Sequence, residues 1–329
     1  MLLASFIFGF SMMNFPHSEK SPSRNLSHEK RDGSFQEAKG AIIEKIHSRG
    51  DLPYASIKRQ IDLVEQLSEF ELGKFLIERS GLNGYWTHYV ISHPSQGRLT
   101  GLNQHQKPFH PLEYYLLNRS PTCLATQQRF EIFKTQIQKH LRDGCSLASV
   151  PCGLMADLLD LDFSNISEFS LYGIDIDPET LSHAMSYASE NNLSQNCHFL
   201  HRDAWDLKLP EKFDLLVSNG LNIYEPDEEK VIELYRQFHT SLKPNGILIT
   251  SFLTPPPIPG QKTGWDLTRV NMEDAVLQKI IFADILSVKW QVFRTEETVK
   301  SHLQKAGFGD IEIHYDHAHI FPTVVAKKI

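Results

Sequence analysis

The chain has 329 residues, of which 41% are hydrophobic, 22% charged and 10% aromatic. Those fractions exclude wholesale disorder, a coiled coil and a collagen-like rod, and the length suits two domains or one decorated domain. A net charge of -7 without any Lys/Arg-rich run argues against a nucleic-acid partner, whose phosphates call for excess cations.

Residues 1–13 (MLLASFIFGFSMM) are almost wholly apolar, but a bilayer span needs roughly 20 such residues. Basic residues before the stretch and a small-residue cleavage site after it, both expected of a secretory signal, are missing. Initiation at Met12 or Met13 would leave the stretch out; a weak membrane or partner anchor is the alternative. Residues 14–34, rich in Ser, Lys, Glu and Asn, read as a disordered lead-in.

From Phe35 to about Leu141 the apolar spacing is helical. Phe35, Ala38, Ile42 and Ile46 share one face, Ile57, Ile61, Val64, Leu67, Leu72 and Phe75 a second, and Phe130, Phe133, Ile137 and Leu141 a third. Between the last two lies an irregular stretch dense in aromatics, His, Gly and Pro. Residues 35–142 are therefore expected to form a helical cap or lid domain.

From Cys145 short β-rich runs alternate with helical ones. Strands are predicted at Ser146–Val150, Ser170–Asp175, Cys197–Leu200, Asp214–Ser218, Gly246–Phe252, Asp310–Tyr315 and Ile320–Lys327. Helices are predicted at Gly153–Leu161, Pro178–Asn191 and Pro226–Leu242, with others inside 271–288 and 296–306. Lys243-Pro244-Asn245-Gly246 should end a helix and turn the chain into a strand. The alternation predicts an α/β domain over 143–329, a doubly wound seven-stranded mostly parallel sheet. Too few residues separate the final two strands for a parallel crossover, so the last strand is expected to be antiparallel. The four cysteines, Cys123, Cys145, Cys152 and Cys197, form neither a disulfide framework nor a CxxC pair, which suits reduced thiols in the cytosol.

In such a sheet, ligands bind beyond the carboxyl ends of the strands. Asp175, at the end of the second strand, lies 22 residues beyond Gly153 of the loop after the first. That spacing lets a carboxylate accept hydrogen bonds from a ribose diol; a surface turn with two solvated acids is the plainer reading. Asp177, just before Pro178, is expected to be an N-cap. Asp203 and the following peptide N–H could hold the amino edge of adenine. The small polar run Ser218-Asn219-Gly220 would let a ligand approach the backbone.

Six ordered elements, SVPCGLM, YGIDIDPETLSHA, HRDAW, FDLLVSNGLNIYEP, LKPNGILITSF and RTEETVKSHLQKAGFGDIEIHYD…FPTVVAKK, make residues 145–329 resemble the class I S-adenosylmethionine-dependent methyltransferases, small-molecule branch. The resemblance implies S-adenosylmethionine as cofactor. It implies that Pro151, Cys152 and Gly153 lie at its methionine part and Asp175 and Ile176 at the ribose. Asp203, Ala204 and Trp205 would meet the adenine, and Asn219, Gly220 and Leu221 the floor beside the sulfonium. The first element departs from the family's D-x-G-x-G-x-G: Ser149, Pro151 and Met155 replace the acid and the outer glycines, and only Gly153 survives. The missing acid removes a contributor to binding the cofactor's amino group. Poor fit to G-x-G-x-x-G also argues against a nicotinamide dehydrogenase.

Methyl transfer from a sulfonium is an in-line displacement, so alignment and exclusion of water are the protein's main tasks, and no nucleophile–base triad is expected. Substrate contacts are expected from Tyr85 and Trp86 of the lid, from Asn222 and Tyr224 after the fourth strand, and from Trp290 and Arg294, the last as a clamp for an acidic acceptor. Packing inside the lid competes for Tyr85 and Trp86, and a surface ion pair for Arg294. His317, in the turn between the last two strands, is the candidate general base. His314, Asp316 and His319 would suit a metal by ligand type, but sixteen histidines make chance clustering easy, and a solvated hairpin without metal is preferred. The expected function is methyl transfer to a small molecule. Two alternatives stand beside it: a catalytically silent nucleoside- or partner-binding relative, and a methyltransferase acting on a protein.

Overall fold

Local signals set the helix starts. Ser34 and Glu37 form a reciprocal capping box at the first helix, and the side chains of Ser56 and Asn83 accept from peptide N–H groups in the first turns of the second and fourth. The computed structural model describes residues 33–258, 260–288 and 292–329; the apolar N-terminal stretch and Trp290 lie outside them. The front of the chain folds as α1 (Phe35–Arg49), α2 (Ile57–Leu67), α3 (Glu71–Arg79), α4 (Gly84–Ser92), α5 (Gly97–Thr100), α6 (Pro111–Asn118) and α7 (Pro121–Gln138). There follow β1 (Cys145–Ser149), α8 (Ala156–Leu159), β2 (Phe169–Asp175), α9 (Pro178–Glu190), β3 (Cys197–His201) and β4 (Phe213–Ser218). The chain closes with α10 (Glu228–Ser241), β5 (Leu242–Ser251), α11 (Met272–Lys279), α12 (Glu296–Lys305), β6 (Phe308–His314) and β7 (Thr323–Lys328).

The seven strands form one sheet in the order β3-β2-β1-β4-β5-β7-β6. β1 to β5 run parallel, and β7 is antiparallel to both β5 and β6, as its short connection requires. Strand order reverses direction between β1 and β4, which makes their carboxyl ends the switch point where ligands bind.

Three local expectations are corrected. The helix expected at Gly153–Leu161 is only the single turn α8, because Met155 sits at φ +58° and the chain becomes helical after it. Residues 243–246 do not simply end a helix: Phe213 pairs with Leu242 and Leu215 with Ile247, so the segment bulges within β5. Residues 320–322 are not strand; the Asp316 carboxylate holds them in a turn by accepting the N–H groups of Ala318, Ile320 and Phe321.

Packing also redraws the expected division at residue 142. Ile280, Ile281, Ile285 and Leu286, which follow α11, join Leu63, Leu67, Leu76 and Ile77 in the helical core. Conversely, Phe133 and Ile137 of α7 pack under the sheet with Leu147, Val217 and Ile249. The opposite sheet face is covered by α10 and α12 through Tyr235, Phe238, Val299 and Leu303.

Candidate active site

The loop after β1 is drawn against the sheet by backbone bonds: the Val150 N–H donates to Val217 O at 2.8 Å and the Cys152 N–H to Ile174 O at 3.0 Å. Gly153 then turns at φ +51°, and a Cβ there would meet only Gly84 Cα, at 3.9 Å. A glycine with clear space on its ligand side is a backbone cradle. Asp175, at the tip of β2, is 8% exposed, and burial pushes its pKa up while peptide N–H groups oppose this. Its carboxylate accepts from Gly153 N at 3.3 Å and Asp177 N at 3.0 Å. A carboxylate has about four lone-pair sites, so each oxygen retains capacity for a hydroxyl. Asp177 is the expected N-cap of α9, accepting from Glu179 N and the Thr180 hydroxyl.

Beyond β2, Ile176 is an exposed aliphatic side chain at 40%, an apolar wall suited to a purine face. Asp203 folds its side chain back onto the Trp205 N–H at 2.9 Å, and Ala204 is buried in the core. On the other side of the switch point, Gly220 turns at φ +85° and opens a short 3-10 turn, Leu221–Tyr224. Here the polar accounting stays open. Among the described residues, Asn219 Oδ1 is buried without a partner, and Asn222, only 1% exposed, has neither amide atom bonded. Orphaned buried polar groups cost about 1–3 kcal/mol each, and a cluster beside two strand tips marks a ligand surface.

The helical region covers this edge. A Cβ on Gly84, the first residue of α4, would lie 3.1 Å from Leu154 Cδ1 and 3.4 Å from both Gly153 Cα and Thr180 Cγ2. α4 thus rests on the glycine loop and on the first turn of α9.

Several sequence expectations are relocated. Trp86 is buried in the helical core against Phe75, Tyr85 and Tyr89, not directed at substrate. Tyr85 and Tyr224 are exposed. Arg294 is no acceptor clamp: it is 3% exposed and fully engaged, with Nε at Glu228 Oε2 (3.1 Å), Nη1 at Asn222 O (2.8 Å) and Nη2 at Glu225 O (2.6 Å). It positions the turn that presents Asn222. His317 is exposed, with Nδ1 3.4 Å from Arg269 Nη1 and its N–H donating to Gln128 Oε1 at 2.6 Å. Among the described residues, no group of three or more His, Cys, Asp or Glu side chains could hold a metal.

Two contributors escaped the sequence reading. Ser149, standing where the family has its acid, donates its hydroxyl to Asp157 Oδ2 at 2.9 Å. A carboxylate therefore stands behind the first loop after all, supplied from eight residues downstream; burial pushes its pKa up to about 7, and among the described residues Oδ1 has no partner. The second is Arg129 of α7, whose Nη1 lies 3.3 Å from Ser251 Oγ at the end of β5. Neither had a local signal, since each reads as an ordinary charged residue on an amphipathic helix.

Residues 142–285 match the methyltransferase domain family. With the reversed final strand, the glycine loop and the acid at the tip of β2, this defines the class: the chain carries a class I S-adenosylmethionine-dependent methyltransferase domain. It is 40% identical to a protein of solved structure described as a possible exported protein from Bordetella parapertussis, over 90% of this chain and 97% of that one, with a TM-score of 0.82. More distant similarity, 17% identity and a TM-score of 0.44 over 59% of this chain and 97% of the other, links it to a SAM-dependent methyltransferase from Methanosarcina mazei. A Burkholderia thailandensis 1,6-didemethyltoxoflavin-N1-methyltransferase, with its substrate and S-adenosylhomocysteine bound, is 14% identical with a TM-score of 0.43 over 61% of this chain and 78% of that one. No curated protein matches the chain.

The cofactor is S-adenosylmethionine, and the residues present fit it. When bound, it supplies a methyl group already activated on a sulfonium. Asp175 would accept from the ribose hydroxyls, Ile176 and the Asp203–Trp205 turn would flank the adenine, and Gly153 would admit the methionine part. Replacing Asp175 by alanine is expected to weaken S-adenosylhomocysteine binding by about 1–3 kcal/mol, or roughly 5- to 150-fold. Calorimetric titration checks this; an unchanged dissociation constant contradicts the ribose assignment.

Proposed function

We propose that this methyltransferase acts on a small molecule, held over the ends of β4 and β5 beneath the helical lid. The observation that supports it most is Asn222: a side chain 1% exposed with both amide atoms unpartnered among the described residues asks for a ligand that enters an enclosed site. A protein acceptor would present its side chain to an open groove. Two open surface clefts lie elsewhere, one between α1, α2 and α3, lined by Lys39, Glu65 and Phe75, the other beside α7 and β6.

The chain's tasks in the reaction follow from this placement. Asn219 and Asn222 offer donors and acceptors that orient the acceptor's nucleophilic atom toward the sulfonium, and α4 over the glycine loop excludes water. Arg294 holds the turn that aims Asn222. Proton removal is left to the acceptor's own acidity or to solvent, since His317, the expected base, is exposed beside Arg269. Among those residues, no helix is long and apolar enough to cross a membrane.

Incubating the enzyme with methyl-labelled S-adenosylmethionine and a fractionated cell extract tests the proposal. Label is expected in the low-molecular-mass fraction. Label confined to protein or nucleic acid would overturn it.

A further inference from the structure

Arg129 is a charged residue in an unusual position. It is 8% exposed, and among the described residues no carboxylate pairs with it. Its Nη1 touches only the Ser251 hydroxyl, Nε has no partner, and the guanidinium carbon lies 4.5 Å from the centre of the Phe321 ring. The groups whose fields reach it are Tyr224 and Asp316, and the Asp316 carboxylate is already bound to three peptide N–H groups of the following turn. Burial pulls the guanidinium pKa down to about 10, so the cation persists at neutral pH at a cost in solvation. A buried arginine normally meets a carboxylate or phosphate in its planar fork. Here the fold holds the fork ready and gives it a hydroxyl and an aromatic face.

The surroundings say what would complete it. A Cβ on Gly220 would sit 3.4 Å from Arg129 Nη1 and 3.7 Å from Ser251 Oγ, so the glycine after β4 gives the arginine its approach to the strand tips. Asn219 and Asn222, with their unpartnered amide atoms, flank that glycine in sequence. The cofactor's nucleoside residues belong to the tips of β1, β2 and β3, whereas Arg129 touches the ends of β4 and β5 and the approach to β7, across the switch point. We propose that Arg129 receives a carboxylate of the methyl acceptor, with Ser251 as a second donor and Phe321 as the apolar wall against the acid's carbon frame. The acceptor class is thus a small organic acid, methylated at an atom near Asn219 and Asn222. This rests on the small-molecule reading above and sharpens it.

The test uses the whole chain saturated with S-adenosylhomocysteine. Thermal shifts and calorimetric affinities are measured for matched acid and amide probes: acetate and acetamide, benzoate and benzamide, phenylacetate and phenylacetamide. At least one acid should bind at least tenfold more tightly than its amide. Arg129→Met should abolish that preference while leaving S-adenosylhomocysteine affinity within twofold, and Arg129→Lys should keep part of it. Absence of any acid preference in the wild-type complex overturns the proposal, whether or not the methionine variant folds. So does a tenfold loss of S-adenosylhomocysteine affinity in Arg129→Met or Arg129→Lys with 5′-methylthioadenosine unaffected, since the carboxylate would then be the cofactor's own. Failure of the wild-type chain to bind S-adenosylhomocysteine is a different result and strikes the cofactor assignment instead.

Discussion

Replacing Arg294 by alanine is expected to lower the unfolding free energy by about 2–4 kcal/mol, from a buried and a part-buried carbonyl losing charge-assisted donors while the half-exposed Glu228 carboxylate loses one of its partners. The guanidinium ties Asn222 O, Glu225 O and the Glu228 side chain, bridging the turn after β4 and the start of α10 from the strand-like segment before α12. Leu253 bridges Phe293 in parallel, and Arg294 N donates to Leu253 O at 2.8 Å, so the arginine is fixed by its own backbone. Lysine reaches one carbonyl at a time and should recover less than half of the loss. Denaturant unfolding of the three proteins checks this; a loss below about 1 kcal/mol, the range of an exposed ion pair, contradicts it. Methyl transfer should fall as well, because the turn that aims Asn222 loses its anchor.

The second large effect concerns Asp157, and its sign depends on pH. Burial raises the folded pKa to about 7, whereas an unfolded aspartate titrates near 3.9. Below the unfolded value the carboxyl is protonated in both states and costs nothing. The penalty grows as pH rises from there, and reaches its full size above the folded value. Asparagine at 157 keeps the shape and the hydrogen bond from Ser149 without the titration. Asp157→Asn should therefore gain about 2–3 kcal/mol more at pH 8 than at pH 5, relative to wild type. Unfolding curves at the two pH values measure it. An equal effect at both would mean the carboxyl is not held in the dry pocket behind the loop. The same carboxylate, once ionised, would favour a nearby ammonium, so S-adenosylhomocysteine should narrow the difference by lowering the pKa of Asp157.

Much of the frame was legible because strands and helices write themselves in short patterns. β4 and β5 carry the aliphatic runs Leu215–Val217 and Ile247–Ile249, and Pro178 stands at the first turn of α9 behind its Asp177 cap. Gly153 and Asp175 could be paired from spacing alone, and the structure joins them by a hydrogen bond. What sequence reasoning missed depends on contacts between distant segments. Met155 reads as a helix former, and only the turn in the loop forces it to a left-handed backbone. Trp86 and Arg294 bear the residue types of binding sites, yet one fills the helical core and the other braces a turn. Arg129 shows the converse. It sits among Gln127, Gln128 and Phe130 as if on a solvated helix face, and only the approach of Gly220, Ser251 and Phe321 reveals its burial. The segment Ile280–Leu286, far along the chain from α3, is claimed by the helical core for a reason no local window contains.

The most direct measurement is a crystal structure of the chain with S-adenosylhomocysteine. The nucleoside is expected across the tips of β1 and β2, its ribose hydroxyls on the Asp175 carboxylate and its sulfur between Gly153 and Asn219. A ligand lodged elsewhere, or that edge closed by the chain's own side chains at saturating ligand, would contradict it.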